Sequence, residues 1–486
     1  MNITPRMIYH RTWTIGAALA APILPVLSQT SPNLVFIMAD QYRGDALGCI
    51  GKEPVKTPCL DKLASEGILF TNAISSYPVS SPARGMLMTG MYPLKNKVVG
   101  NCNSRTAPYG VELPQDARCW SDVLKNMNYQ TGYIGKWHLD APYKPYVNTY
   151  NNQGKVAWNE WCPPERRHGF EYWIAYGTYD YHLKPMYWNT TAPRDSFYYV
   201  NQWGPAYEAD KAIEYIQTQK NRQQPFALVV SMNPPHTGYE LVPDNYKAIY
   251  KDLDIEALCV NRPDIPAIGT KMGDYFRNNI RNYYACITGV DENVGRIIDE
   301  LKRNGLFDNT IVVFTSDHGI CMGAHEKDGK DIFYEEAMRI PMIISWPDRI
   351  KPRKEENLMI AFADLYPSLL SLMGFQKEIP ETVQTFDLSQ EILYKNKKKK
   401  IVQPYYQVQY DNHATGYRGF RNDTYTFVVH ATNGEINDTI LFDRTKDPHQ
   451  MNNIAPKHPQ LVQKFSKQLK DWLTQTDDSF ANYLKL

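Results

Sequence analysis

An excess of charge of either sign is missing from this chain: 53 Lys and Arg stand against 52 Asp and Glu, a formal net charge of +1. That balance argues against a general nucleic-acid or membrane-surface binder, which carries a basic excess. No internal repeat is present. The eight cysteines (Cys49, Cys59, Cys102, Cys119, Cys162, Cys259, Cys286 and Cys321) lack the C-x-x-C spacing of a zinc site. Cys321 stands near a polar motif but has no His partner in sequence. All eight read as structural or buried, although an exported chain permits disulfides.

At 486 residues, 43% hydrophobic and 13% aromatic, the chain is globular and long enough for more than one domain. Its 34 tyrosines and 10 tryptophans hint at sugar stacking, with core packing as their commoner use. The N-terminus reads as an export signal over residues 1–28. Arg6 and Arg11 precede an apolar run from Trp13 to Leu27, and Val26 and Ser28 are small enough for cleavage before Gln29. The run is too short, and too broken by Pro22 and Pro25, for a stable membrane span. No cysteine near the cleavage point offers a lipid anchor. The expected location is periplasmic or secreted.

Buried strands are expected at Leu34 to Ala39, Thr131 to Ile134, Phe226 to Ser231, Ile311 to Thr315 and Pro341 to Ser345. Amphipathic helices are expected at Ala209 to Thr218 and Val290 to Asn304. Apolar strands without alternation, separated by helices, predict an α/β fold with a large, mainly parallel sheet sandwiched by helices. After about Gly374 the pattern changes. Alternating runs at Tyr425 to His430 and Thr439 to Phe442, and a helix from Pro459 to Leu473, predict a smaller antiparallel sheet with a closing helix. The expected division is a catalytic domain over 29–375 and an α+β subdomain over 376–486. The lysine cluster Lys395 and Lys397 to Lys400 reads as a solvated loop.

Ligands of open α/β sheets bind beyond the carboxyl ends of the strands. Four predicted strands run into polar groups: Asp40-Gln41, Gly135-Lys136-Trp137-His138, Asn233-Pro234-Pro235-His236 and Ser316-Asp317-His318-Gly319. Any one of these is unremarkable, as a helix cap or a surface His. Together at one sheet edge they predict a shared site. Asp40, Gln41 and Asp317 offer hard oxygen ligands of the kind calcium or magnesium takes. Lys136, Lys330, His138 and His236 add positive or protonatable groups. Carboxylates, a hard metal and lysines suit a tetrahedral oxyanion, sulfate or phosphate. In Ser80-Ser81-Pro82-Ala83-Arg84 through Thr89-Gly90, either serine can cap a helix with Pro82 in its first turn, where free N–H groups meet an anion.

This segment closely resembles the sulfatase signature, and the resemblance covers most of the mature chain. It takes in Ala39-Asp40-Gln41, Gly135-Lys136-Trp137-His138, Pro235-His236, Asp317-His318-Gly319, Lys330 with Tyr334-Glu335-Glu336, and late in the chain Leu441-Phe442-Asp443. The resemblance implies the alkaline-phosphatase-like fold and sulfate-ester hydrolysis through Cα-formylglycine made from Ser80. A serine here resembles the type matured by an oxygen-independent enzyme, an expected partner. One hydroxyl of the hydrated aldehyde attacks sulfur and the second expels sulfate.

The resemblance further implies one Ca2+ held by Asp40, Gln41, Asp317, His318 and residue 80. Many relatives have Asp where Gln41 stands and Asn where His318 stands. Lys136 and Lys330 resemble sulfate clamps. Arg84 is expected to orient residue 80, His138 to take its proton and His236 to protonate the leaving alcohol. Sugar readers are expected in two insertions: Asp140 to Trp188, with Trp173, Tyr179, Asp180, His182 and Trp188, and Asp411 to Arg421, with His413, Arg418 and Arg421. With Asn201-Gln202-Trp203-Gly204-Pro205, the chain resembles exported bacterial sulfatases acting on sulfated galactose or N-acetylgalactosamine. Two other readings stand beside this one: a phosphate or phosphonate ester hydrolase of the same superfold, and a non-catalytic binder of sulfated glycans.

Overall fold

The computed structural model describes residues 31–394 and 401–485. The signal segment 1–28 and the lysine cluster at Lys395 and Lys397 to Lys400 lie outside the described residues. A large sheet is built from β1 (Asn33–Ala39), β2 (Ile68–Phe70), β3 (Gln130–Lys136), β4 (Tyr172–Tyr176), β5 (Phe226–Met232), β6 (Thr310–Ser316), β7 (Met342–Ser345) and β8 (Arg353–Glu355). Their order across the sheet is β8-β2-β7-β6-β1-β5-β3-β4. Only β7 runs against the rest.

The absence of alternation in these strands has a direct cause, since both faces are covered. On β1, Val35, Ile37 and Ala39 enter one apolar cluster while Leu34, Phe36 and Met38 enter the other. The first cluster is closed by α2 (Gly204–Gln219) and α3 (Lys271–Arg303), the second in part by α1 (Ser80–Thr89). Helix α3 begins well before the expected Val290. Gly273, Asn278, Asn279 and paired tyrosines are weak helix formers and blur its periodicity. Thr270 caps it, accepting from the Gly273 N–H at 3.1 Å, and Ile280, Tyr283 and Tyr284 pack it onto the sheet. Strand β4 was hidden inside the segment expected to be a sugar-reading insertion.

A second sheet is a four-stranded antiparallel meander of β9 (Gln403–Gln409), β10 (Asn412–Arg421), β11 (Tyr425–Thr432) and β12 (Glu435–Asp443). On one face Phe420, Phe427 and Leu441 pack with Phe465 and Leu469 of α4 (Pro459–Gln475). On the other, Tyr405, Val428 and Ile440 pack with Phe333 and Met338, just past Lys330. Before this sheet, Leu388, Ile392 and Ile401 pack on the large sheet's second face. No helix among the described residues is long and apolar enough to cross a membrane.

Candidate active site

Sheet register brings the polar strand ends together. Ala39 of β1 pairs with Met232 of β5 and with Ser316 of β6, so Asp40, Asn233 and Asp317 leave the sheet side by side. Gly135 pairs with Ser231 and delivers Lys136 one residue later. Only glycine fits there: its φ is +96°, and a Cβ would lie 2.1 Å from the Ser231 carbonyl oxygen.

Helix α1 points its start at this cluster. The N-cap is Val79, and Ser80 is the first helical residue, so its hydroxyl is not used up in capping. Ser80 is 1% exposed. Its Oγ donates to Asp40 Oδ2 at 3.2 Å and lies 3.0 Å from His318 Nε2. Arg84, one turn later on the same helix face, is buried and reaches Asp317 Oδ2 (3.0 Å), Asp40 Oδ2 (3.1 Å), the Lys136 carbonyl (2.8 Å) and Ser231 Oγ (2.7 Å). Arg84 was expected to orient residue 80. Its hydrogen bonds instead hold the two carboxylates together, and it acts on Ser80 through Asp40.

Lys136 Nζ lies 2.7 Å from Asp40 Oδ2 and donates to Asn233 Oδ1 at 3.0 Å. Burial alone would raise the Asp40 carboxyl. Lys136, then His236 and His318, overcome that and hold it well below the usual carboxylate range. Burial and the Asp40 charge push Asp317 up to about 6. His318 is held well below its ordinary value, first by burial and then by Lys330. Its Nδ1–H donates to the Gly319 carbonyl at 2.8 Å, which leaves the Nε2 lone pair facing Ser80 and the carboxylates.

These groups fit a divalent cation. Ligand atoms of Asp40, Asp317 and His318 all lie within 4.8 Å of one another. Asp40 Oδ1 is buried and has no hydrogen-bond partner among the described residues, as an oxygen reserved for a metal would be. Gln41, expected in the same shell, is directed elsewhere. Its Oε1 accepts from Lys330 Nζ at 2.6 Å, and its amide donates to Tyr239 Oη at 3.0 Å.

On the far side of Lys330, its Nζ lies 3.1 Å from His236 Nε2. His236 Nδ1 faces Asp180 Oδ1 at 3.2 Å, and Asn233 Nδ2 also donates to that oxygen at 3.0 Å. Burial, then Lys330 and Lys136, push His236 down to about 4; burial lowers Lys330 as well. His138 is buried, with Nε2 3.2 Å from the Cys102 carbonyl and Nδ1 without a partner among the described residues. Burial, then Lys136 and Arg84, hold it well below its usual value, so it is a neutral base.

The expected sugar readers largely prove to be framework. Trp173 and Trp188 are each 1% exposed, and Tyr179 is also buried in the core. His182 is buried, and its Nε2 meets the carbonyls of His236 (3.3 Å) and Thr237 (3.1 Å), tying down the His236 loop. Asp180 orients His236 from the side. Arg418 is 0% exposed; it points inward to Asp478 at 2.6 Å, because its position on β10 faces the core under α4. Arg421 pairs with Glu335 at 2.7 Å and 2.8 Å. His413 stands exposed near the β9–β10 turn, with its carbonyl 3.5 Å from the Arg418 guanidinium.

Two residues receive no role from the sequence. Asn233 bridges Lys136 to Asp180, and its place at a strand end was the available signal. Tyr239 anchors Gln41, and no sequence pattern marked it.

Comparison with known proteins agrees with this geometry. The Sulfatase family model matches residues 32–375, and the model of the N-sulphoglucosamine sulphohydrolase C-terminal region matches residues 323–478. An endo-4-O-sulfatase of Bacteroides thetaiotaomicron is 33% identical, covering 92% of this chain and 92% of its own. An ulvan-active sulfatase of Formosa agariphila is 33% identical, covering 94% of this chain and 84% of its own. The crystal structure of yidJ from Bacteroides fragilis superposes with a TM-score of 0.94 at 79% identity, covering 96% of this chain and 100% of that one. Sulfatases generally use a formylglycine and a metal ion, and the buried Ser80 beside an acidic cluster suits both. The chain belongs to the sulfatase family and is a sulfuric ester hydrolase.

Proposed function

We propose that this protein removes sulfate from sulfated carbohydrate, with residue 80 matured from serine to formylglycine and a calcium ion at Asp40, Asp317 and His318. The observation that carries the reading is the position of Ser80. It is buried at the start of α1, with the carboxylates on one side and Lys136 within reach of the same Asp40 oxygen. The relatives named endo-4-O-sulfatase and ulvan-active sulfatase support a glycan as substrate, of which O-sulfated galactose or N-acetylgalactosamine is the preferred class.

Asp40, Asp317 and His318 would hold a hard divalent cation, which would polarise sulfate oxygens and favour the ionised form of a hydroxyl on residue 80. Hydrated formylglycine offers two hydroxyls, one to attack sulfur and one to release sulfate as the aldehyde returns. Lys136 and Lys330 oppose the charge on the transferring group. His138 offers its unpartnered Nδ1 as the base. The proton for the leaving alcohol is held by the Lys330–His236 pair: His236 is neutral in the free site and accepts from Lys330, while Asp180 fixes its tautomer.

Export to the periplasm or beyond and oxidation of Ser80 by an anaerobic-type maturation enzyme complete the reading. Protein purified from its native host is the test. Mass spectrometry of the Ser80 peptide should show a loss of about 2 mass units, the two hydrogens removed on oxidation, and the mature N-terminus should begin near Gln29. Metal analysis should find calcium. Robust multiple turnover by protein with unmodified Ser80 would sink the mechanism, and faster hydrolysis of aryl phosphate than of aryl sulfate would sink the substrate class.

A further inference from the structure

A cavity of about 530 Å³ opens where the loop after Lys330 meets the small sheet. Neighbours of three site residues wall it. Val79 precedes Ser80, Asp331 follows Lys330, and Trp158 packs against the His138 ring at 6.4 Å. Asn101 belongs to both regions: it lines the cavity, and its side-chain oxygen accepts from the Ser81 N–H at 3.1 Å. The opposite wall is β9 and β10, through Gln407, Gln409 and Tyr417. The size lies within the usual range for small-ligand sites, and amide side chains beside aromatic faces suit a sugar ring.

Asp331 is the unusual group in this wall. It has a φ of +70°, and its N–H donates to the Pro78 carbonyl at 3.1 Å, two residues before Ser80. Its Oδ2 receives one long contact from Gln407 Nε2 at 3.3 Å. Its Oδ1 is buried and has no hydrogen-bond partner among the described residues, and Gln407 Oε1 is likewise unmet. A buried carboxylate oxygen without a donor is costly unless a ligand supplies one. Burial pushes this carboxyl up to about 7. Among the described residues the cation that offsets this rise is Lys330, which is already held by Gln41 and His236.

Resting on the sulfatase reading above, we propose that this cavity seats the sugar ring that carries the sulfate, and that Asp331 selects it by accepting a hydrogen bond from a ring hydroxyl. The loop then performs two tasks with adjacent residues: Lys330 meets the sulfate and Asp331 meets the sugar. The small sheet supplies the other wall of the specificity pocket.

Binding to a non-turning Ser80→Ala protein tests this by calorimetry, with inorganic sulfate and the 4- and 6-sulfates of galactose and N-acetylgalactosamine as probes. At about pH 8, where the carboxyl is mostly ionised, adding Asp331→Asn should weaken the tightest sugar sulfate roughly 10–100-fold, the loss of the charge on the accepting oxygen, while inorganic sulfate changes by less than about twofold. Gln409→Trp, which fills the cavity from the opposite wall, should weaken the same sugar and leave inorganic sulfate alone. Unchanged sugar affinity in both variants would overturn the proposal. So would equal losses for sugar sulfate and inorganic sulfate with Asp331→Asn, which would make Asp331 a support for Lys330. Failure of every sulfated probe, inorganic sulfate included, to bind the parent protein would instead overturn the sulfatase site itself.

Discussion

Asp40 and Asp331 are both acidic, and each has one buried carboxylate oxygen without a hydrogen-bond partner among the described residues, yet their surroundings differ. Around Asp40, Ser80, Arg84 and Lys136 crowd one oxygen within 3.2 Å. Around Asp331 there is a single contact of 3.3 Å. The first environment is prebuilt by the sheet: strands in register deliver its members, and they charge-balance one another. The second is assembled from a loop and a separate sheet, and is left partly unsatisfied. A sulfate site that serves one chemistry can be rigid and complete apart from the Asp40 oxygen left for a metal. A sugar site completes itself only with its ligand.

The sharpest break to attempt is in the prebuilt half. Asp40→Ala and Asp317→Ala should each lower turnover by about 10³-fold or more and remove bound metal together, because each deletes a charged ligand. Full activity in enzyme shown to be metal-free would end the metal role. Next in size is the contrast between Lys136 and His236. Lys136→Ala should damage aryl and sugar sulfates alike. His236→Ala should cost roughly 10²–10⁴-fold on sugar sulfates, whose leaving group needs the proton, and much less on an aryl sulfate. Asp180→Asn should follow the His236 pattern at about tenfold, since its contact with Nδ1 orients the imidazole. Equal losses on both substrate types would remove His236 from proton transfer.

Arg418 tests whether a basic residue in a variable segment reads sugar. Its removal leaves Asp478, 4% exposed, as a buried charge without its partner, a cost of about 3–5 kcal/mol. The melting temperature should fall while KM for sugar sulfate stays unchanged. A raised KM at unchanged stability would return Arg418 to the substrate.

The smallest effect sharpens the meaning of an unmet oxygen. Glu208 Oε2, like Asp331 Oδ1, lacks a partner among the described residues, but Glu208 is 0% exposed in the core between Tyr187 and Tyr176. Burial pushes it up to about 8. The unfolded chain ionises near the ordinary Glu value and the folded one does not, so Glu208 drains stability as pH rises from there towards 8. Glu208→Gln should therefore raise the melting temperature by about 2–4 °C at pH 8 and change little at pH 4. An equal gain at both pH values would refute the neutral-acid assignment.

The legibility of the sequence divides along the same line. Asp40, Lys136, His236 and Asp317 follow apolar runs that are strands whatever surrounds them, so their convergence could be read from the order of residues. Trp173, Trp188 and His182 suggest sugar contacts because they are aromatic or charged in a segment that looks like an insertion, and Arg418 because it is charged in a second one. Strand β4 lies in the first segment, and its presence turns the aromatic residues into core. Asp331 carried no signal at all. Its importance comes from the approach of Gln407, 76 positions away in sequence, and from a wall built by another sheet. Local pattern reports what the backbone does, and it does not report which distant chain will close a pocket.

All ten residues of α1 are buried, Ser80 among them. This sets an order of events. If residue 80 is matured as proposed, the oxidising enzyme would need the segment from Ser80 to Arg84 before the strands that carry Asp40 and Asp317 close around it. Once the fold is complete the serine is buried, and on that reading a molecule that missed its moment would stay folded and inert. The share of working enzyme would then be decided by a race between modification and folding, in which a faster-folding variant would be the poorer catalyst.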